Sequence, residues 1–325
     1  PSPLVRPTAD GPTGGHPHPP LPPRRVGPVT LAEQLSGLEL LVVTGKGGVG
    51  KSLVAAILGR LLSARGQRAL LLEMDPRESL HRLLDVPPSG GEMVEVAPRL
   101  ALQHLEPRRA LDDTVREKLR VRALARRVLS SPVHQHFAEG APGLKETAVF
   151  GRALRLLEGH GPRGVPRPDV VVGDAPATGH GVSLLAAPQL VSEVIESGPV
   201  GAMAADIAAL VRDPRRCGVV VVTLAEEMPV QEALELLGTL DRRLARRPQA
   251  IVANALYPPL DDDAGEDPTT ELWRRRRRVN ERELARLLEA WSGPLVELPL
   301  LPLEPGPALV DALSRVVDRQ GGGRR

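Results

Sequence analysis

The stretch TGKGGVGKS, residues 44–52, decides the fold of this chain. It directly follows a short apolar run, Leu40–Thr44, and it opens into a helical pattern that begins at Ser52. A strand, a glycine-rich turn of the form GxxxxGK[ST] and a helix together make a phosphate-binding loop, or P-loop. In such a loop the backbone N–H groups and the N-terminus of the helix surround a phosphate. The stretch therefore predicts a P-loop at the end of a strand in an α/β domain.

The side chains of the loop predict a nucleotide and a magnesium ion as cofactors. Lys51 is expected to reach the β- and γ-phosphate oxygens, and the Ser52 hydroxyl is expected to bind Mg²⁺. The whole chain has only four lysines, at positions 46, 51, 118 and 145, and two of them lie in this loop. We assign nucleotide binding to the loop residues Gly45, Lys46, Gly47, Gly48, Val49, Gly50, Lys51 and Ser52.

Short apolar runs alternate with longer helical patterns along most of the chain. This alternation predicts a doubly wound, mostly parallel sheet with helices on both faces. The predicted strands are Leu40–Thr44, Ala69–Met74, Val170–Asp174, Val219–Thr223, Ala250–Asn254 and Leu295–Leu298. Two helical segments, about 107–168 and 183–216, interrupt this rhythm. They predict a small helical lobe above the C-terminal edge of the sheet, where such folds bind ligands.

Composition and charge limit the domain and its partners. Residues 1–35 and 321–325 are rich in Pro and Gly and predict disordered tails, which leaves a single P-loop domain at 36–320. Forty-two Lys+Arg against 40 Asp+Glu give a net charge of +2, which predicts no nucleic-acid partner. The single cysteine, Cys217, excludes an intrachain disulfide framework. Without a long apolar stretch or a signal-peptide pattern, we expect a cytoplasmic protein with only indirect membrane contact.

Two acidic loops follow predicted strands: DPRESL at 75–80 and DAPATGH at 174–180. At the first, Asp75 is expected to be catalytic, since a carboxylate there can orient or deprotonate the attacking water. At the second, Asp174 is expected to hold Mg²⁺ through its waters. Taken singly, each aspartate could instead cap a helix N-terminus. Their joint spacing after the P-loop favours a switch that senses the γ-phosphate.

The loop GKGGVGK at 45–51 carries an extra lysine, Lys46, and resembles the deviant-Walker ATPases. That resemblance implies that Lys46 reaches across a dimer interface to the partner's nucleotide, which adds it to Asp75 and Lys51 as a catalytic residue. DPRESL and DAPATGH resemble the DPAHSL and DTAPTGH loops of the ArsA and tail-anchored-protein targeting family. ParA and MinD proteins carry a DxPPG form instead.

Two later segments extend this resemblance: AIVANAL at 250–256 and VELPLLPLEPGPALVDAL at 296–313. They imply that Asn254 recognises adenine and that Pro302 lies in a loop at the edge of the nucleotide. Without the resemblance, Asn254 could be a turn-forming amide at the end of a strand. The family implies a Mg²⁺-dependent ATP hydrolase that acts as a nucleotide-switched dimer, with itself or with a paralogue, and handles a protein client.

The chain also departs from the family. A single cysteine argues against arsenite transport, because a metalloid site needs several thiolates. The zinc-bridging CxxC of the eukaryotic targeting factors is missing, and the segment 183–216 contains only one methionine, Met203. An alternative therefore stays open, a nucleotide-gated binding or assembly module of ParA or MinD type at a scaffold or membrane surface.

Overall fold

The computed structural model describes residues 30–75, 79–118, 143–162, 164–176, 181–260, 265 and 267–320. The predicted tails at 1–29 and 321–325 lie outside the described residues, as do parts of both acidic loops, 76–78 and 177–180. The second half of the predicted helix 110–129 also lies outside them.

The described residues contain one eight-stranded sheet in the order β3-β4-β2-β5-β1-β6-β7-β8. All neighbouring strands are parallel except β3 and β4, which form an antiparallel pair at one edge. The prediction of a mostly parallel α/β sheet is thereby confirmed. The strands are β1 (Leu40–Gly45), β2 (Ala69–Glu73), β3 (Met93–Ala97), β4 (Leu100–His104), β5 (Val170–Asp174), β6 (Cys217–Leu224), β7 (Ala250–Leu256) and β8 (Leu295–Pro299).

Helices cover both faces of this sheet. They are α1 (Leu31–Leu35), α2 (Lys51–Ala64), α3 (Leu80–Leu84), α4 (Pro107–Lys118), α5 (Leu144–Leu157), α6 (Gly181–Val194), α7 (Gly198–Arg212), α8 (Glu227–Leu244), α9 (Pro268–Ala290) and α10 (Pro307–Arg319). Strand β1 has all six residues buried, and its side chains alternate between two cores. Leu40 and Val42 join a core with α5–α8, whereas Leu41 and Val43 join a core with α1, α2 and α10. A strand buried on both faces must be mainly apolar, as residues Leu40–Val43 of β1 are.

The helical segment predicted at 190–211 is two helices, not one. Helix α6 ends at Val194, and α7 begins at Gly198, whose φ of +81° belongs to the left-handed region. Glycine adopts this conformation readily, and the proline that follows it suits the first turn of a new helix. Helices α6 and α7 pack against each other and against α5. Whether the helical segments form a distinct lobe stays a prediction.

Two further elements differ from the sequence-based expectation. Ordered structure begins before residue 36, because Thr30 and Glu33 form a reciprocal capping box that starts α1, and Leu31 and Leu35 are buried. The hairpin β3–β4 was not predicted. Strand β3 is only half-buried and mixes polar with apolar residues, so it lacks the continuous apolar run of the central strands. Among the described residues, each helix is too short or too polar to cross a lipid bilayer.

Candidate nucleotide and magnesium site

The P-loop connects β1 to α2 at the C-terminal end of the sheet. Gly48 and Gly50 have φ values of +83° and +93°, which favour glycine. A Cβ atom on Gly45 would lie 2.2 Å from the carbonyl oxygen of Val222, and one on Gly50 would lie 2.2 Å from Nδ2 of Asn254. Strands β6 and β7 therefore touch the loop so closely that only glycine fits at these two positions.

The two lysines of the loop have different surroundings. Lys51 is buried, and its Nζ donates a hydrogen bond of 3.0 Å to the carbonyl oxygen of Lys46, so the side chain folds back over the loop. The contact of Lys51 with a phosphate stays a prediction. The side chain of Lys46 is 51% exposed, and its Nζ lies 2.7 Å from Oε1 of Glu232 in α8. Lys46 thus has an anionic partner within its own chain.

Asp174 ends β5 and lies deep in the sheet, paired in register with Val43 of β1 and Glu73 of β2. Asp174 is only 1% exposed. By geometric criteria, neither of its carboxylate oxygens has a hydrogen-bond partner among the described residues. Burial raises the pKa of Asp174 to about 7, and Glu73 and Asp75 raise it further, against the opposing effects of the Ser52 hydroxyl and the Lys51 charge. The site therefore holds a buried carboxylate whose charge Ser52 and Lys51 compensate only in part.

The surroundings of Asp174 fit a magnesium ion. Ser52 is half-buried in the first turn of α2, close enough to Asp174 to affect its pKa. Mg²⁺ prefers oxygen ligands and usually binds through one or two carboxylates together with substrate phosphates. An unpartnered carboxylate beside a hydroxyl, at the end of a P-loop, offers this donor set. Ser52 and Asp174 are the residues that would hold the ion.

Asp75 and Asn254 also lie at this end of the sheet. Asp75 lies two residues after the end of β2, is half-buried, and is near enough to Asp174 to raise its pKa. Asn254 in β7 is buried, and its Nδ2 donates a hydrogen bond of 2.9 Å to the carbonyl oxygen of Val49. Pro302 is exposed in the connection between β8 and α10. The roles of these three residues remain predictions.

A buried glutamate that the sequence analysis did not single out also belongs to this site. Glu73, at the end of β2, is 1% exposed, and its Oε1 accepts hydrogen bonds from the backbone N–H groups of Ser79 and Leu80. The hydroxyl oxygen of Ser79 lies 3.2 Å from Glu73 Oε1 and 2.9 Å from the hydroxyl oxygen of Ser52. A charged residue that ends an otherwise apolar strand next to the P-loop is the signal that could have identified Glu73.

The burial of Asp174 predicts a pH-dependent cost in stability. Since its folded pKa is raised above the ordinary value of 3.8 to about 7, the penalty is absent below pH 4, grows between the two values and is complete above pH 7. Asp174→Asn should therefore raise the free energy of unfolding of the ligand-free protein by about 4 kcal/mol at pH 8 and by almost nothing at pH 4. Urea unfolding at both pH values measures this difference.

Asp169→Asn is the matched control for this measurement. The hydrogen bonds from Arg68 lower the pKa of Asp169, so its ionised form stabilises the fold above its ordinary pKa and the contribution is lost as the pH falls. Asp169→Asn should reduce stability at pH 8, opposite in sign to Asp174→Asn. Equal stability of wild type and Asp174→Asn at pH 8 would contradict the assignment of Asp174 as an only partly compensated carboxylate.

A glycine-rich loop at the end of a central strand, with carboxylates ending two strands on one side of it, defines a nucleotide-binding protein with the P-loop NTPase fold. Comparison with known families agrees with this geometry: residues 38–199 match the family model described as anion-transporting ATPase, the ArsA ATPase family. The chain therefore carries a domain of the ArsA ATPase family, and the resemblance inferred from the acidic loops is confirmed.

Several named proteins are similar in sequence to this chain. The chain is 33% identical over 219 residues to ATPase BagA of Mycobacterium tuberculosis, an alignment that covers 64% of this chain and 62% of that protein. It is 25% identical over 327 residues to ATPase asna-1 of Caenorhabditis elegans, covering 86% of this chain and 93% of the relative. An arsenical pump-driving ATPase of Escherichia coli is 29% identical over 206 residues, which is 62% of this chain but 32% of the relative.

Proposed function

We propose that this chain is a Mg²⁺-dependent ATP hydrolase that acts as a nucleotide-switched dimer and handles a protein client. The observation that supports it best is the unpartnered Asp174 carboxylate beside Ser52 and Lys51. Burying a carboxylate without a partner is costly, and a divalent cation carried in with a nucleotide would compensate its charge. When bound, the ion would neutralise negative charge on the phosphates during transfer.

The protein side chains divide the work of hydrolysis. Lys51 holds the phosphates in place through its ammonium group, and the backbone N–H groups of residues 45–50 surround them. Asp75 orients the attacking water or accepts its proton. Asp75 lies two residues after the end of β2, and Lys51 begins the helix after β1, so both lie at the C-terminal end of the sheet.

Asn254 has the chemistry for recognition of adenine. Its amide nitrogen is engaged by Val49, whereas its carboxamide oxygen accepts no hydrogen bond from the described residues. An acceptor oxygen can pair with the amino group of adenine but faces an acceptor, not a donor, at the same position of guanine. Asn254 would thus favour ATP over GTP.

The dimer part of the proposal is based on Lys46. In the single chain, Lys46 is paired with Glu232, so it must leave this partner before it can reach a phosphate on another subunit. A half-exposed ion pair of this kind contributes about 0.2–1 kcal/mol. It is strong enough to favour the withdrawn position and weak enough to be exchanged for a phosphate.

Glu232→Gln should therefore promote dimer formation in the presence of ATP and Mg²⁺. The variant should lower the concentration at half-dimerisation by about 2- to 5-fold for each lysine released. Molecular mass, measured against protein concentration in an Asp75→Asn background that preserves ATP, checks this. Glu235→Gln is the control. Glu235 lines a cavity together with Lys46 and Glu232, but its carboxylate accepts a hydrogen bond from Gln231. A parent protein that stays monomeric with ATP would contradict the dimer, and equal effects of both variants would contradict the role of Glu232.

The proposed client is a folded or amphipathic protein segment, not a bare transmembrane helix. A helix of about 20 residues requires a groove about 30 Å long, lined by adaptable apolar side chains. Met203, the single methionine of 183–216, is buried in the core. Leu190 and Val194, one helical turn apart on α6, are 52% and 82% exposed. These two side chains make a small apolar surface, which suits a short amphipathic contact.

Co-expression with a tail-anchored substrate should consequently give no soluble, stoichiometric complex. The measurement is affinity purification followed by the mass of the eluted species. Should a complex form, Leu190→Glu combined with Val194→Glu would locate it, with Leu272→Glu on α9 as a control at another exposed leucine. A stoichiometric complex that only the α6 substitutions abolish would overturn this proposal in favour of a targeting factor for membrane segments.

A further inference from the structure

Ser79 occupies the N-cap position of α3, yet its hydroxyl makes no hydrogen bond to the backbone of its own helix. A serine at this position ordinarily uses its side-chain oxygen to accept a hydrogen bond from the first turn. Here Glu73 accepts the hydrogen bonds of the Ser79 and Leu80 N–H groups, the latter at 2.9 Å. Because a carboxylate from β2 satisfies the helix, the Ser79 hydroxyl is not needed as a cap; it lies 3.2 Å from Oε1 of Glu73 and makes a second, closer contact.

That contact is the P-loop serine. The hydroxyl oxygens of Ser79 and Ser52 lie 2.9 Å apart, although the two residues are 27 positions apart in the chain. Mg²⁺ binds oxygen ligands at about 2.0–2.1 Å in an octahedron, so neighbouring ligand oxygens are separated by about 2.9 Å. The observed separation is an ordinary O–H···O hydrogen-bond length, and it also equals the edge of a magnesium octahedron, so one ion could replace this hydrogen bond without moving the two oxygens apart. Asp174, the unpartnered carboxylate, is the other polar neighbour of Ser52.

We propose that Ser79 is a further ligand group of the magnesium site, beside Ser52 and Asp174, and that Glu73 is the residue that positions it. This inference rests on the proposed function, because it needs a nucleotide with its metal at the P-loop. Glu73 ends the strand that Asp75 follows, and Ser79 begins the next helix. Metal binding through Ser79 would thus fix both ends of the segment that carries Asp75.

The test compares the affinity for ADP with Mg²⁺ and with a chelator, both measured by titration calorimetry. The ratio of the two affinities measures the contribution of the metal to binding separately from that of the nucleotide. The measurement requires no hydrolysis. Ser79→Ala should lower this ratio about tenfold and leave the metal-free affinity unchanged, whereas Ser79→Thr, which keeps a hydroxyl, should preserve it. Ser63→Ala is the matched control, since Ser63 lies on α2 and bonds only the carbonyl oxygen of Arg60.

The role of Glu73 is tested by a double-mutant cycle on the same ratio. Glu73→Ala should lower the ratio as Ser79→Ala does, because the hydroxyl then turns to cap α3, and the double variant should be no worse than either. Glu73→Gln keeps an acceptor oxygen and should retain the wild-type ratio. If Glu73→Ala does not fold, a lowered ratio in Glu73→Gln that adds fully to the loss caused by Ser79→Ala would refute the positioning role.

Two outcomes separate this inference from the function on which it rests. If Ser79→Ala binds ADP with the wild-type affinity ratio, the inference about Ser79 is overturned but the proposed function is not. Absence of ADP binding by the wild-type protein would instead overturn the proposed function. An equal loss of affinity with and without Mg²⁺ would assign Ser79 to loop structure and would also refute it as a metal ligand.

Discussion

Asp75→Asn is expected to bind ATP and Mg²⁺ as the wild-type protein does and to hydrolyse ATP about 10²-fold or more slowly. The amide keeps the size of the carboxylate but can neither accept a proton nor orient water as an anion. Lys51→Ala is expected to do the opposite and weaken ATP binding itself, because the ammonium group contacts phosphate before any reaction begins. Equilibrium binding of a fluorescent ATP analogue and steady-state phosphate release separate the two effects.

Asp85→Asn serves as the control for this pair of variants. Asp85 is exposed at the end of α3 with a φ of +53°, a conformation that asparagine also tolerates. It should leave both binding and hydrolysis unchanged. Hydrolysis by Asp75→Asn at the wild-type rate would remove Asp75 from the catalytic residues and leave Glu73 and Asp174 as the remaining carboxylates at this end of the sheet.

Mixing two inactive proteins, Lys46→Ala and Asp75→Asn, should restore hydrolysis. If Lys46 acts on the partner's nucleotide, a mixed dimer has one site with an intact Asp75 and an incoming Lys46. With random exchange in a symmetric dimer, about one quarter of the wild-type activity should return. Phosphate release over a range of mixing ratios measures this recovery.

The control for mixing is Lys46→Ala combined with Asp75→Asn in one chain, added to either single variant. Such a mixture has no site with both groups intact. The pairing with the Lys46→Ala protein contains no Lys46, and the pairing with the Asp75→Asn protein contains no Asp75. Mass measurement must show that mixed dimers form. Confirmed mixed dimers without recovery would mean that Lys46 acts within its own chain, where Glu232 already holds it.

The central sheet and the P-loop could be predicted because their signals are local. Strand β1 begins with four buried apolar residues, Leu40–Val43, and the loop after it has a spacing of Gly, Lys and Ser that is typical of phosphate binding. The hairpin β3–β4 carries no such signal, since an edge strand with half-buried residues resembles a loop in sequence. The break between α6 and α7 depends on a single left-handed glycine, Gly198, within a continuous apolar pattern.

The candidate site could be predicted only where one segment supplies the chemistry. Asp174 and Asp75 follow strands and were identified from their loops. The function of Glu73 depends on Ser79 and Leu80 turning back toward it, and the partner of Lys46 lies in α8, 186 residues later in the chain. The pairing of Lys46 with Glu232 is created by the crossover order of the sheet, which the residues near each partner do not encode.

The close approach of β6 and β7 to the P-loop affects how the protein can be divided. The family match ends at residue 199, before either strand, yet β6 lies next to β1 in the middle of the sheet. A chain cut after 199 would lose the carbonyl that bounds Gly45 and the amide that bounds Gly50. The segment that matches the family model is thus not an independent folding unit. Any truncation or split-protein design has to keep the chain through Leu256 to retain the β6 and β7 contacts of the P-loop.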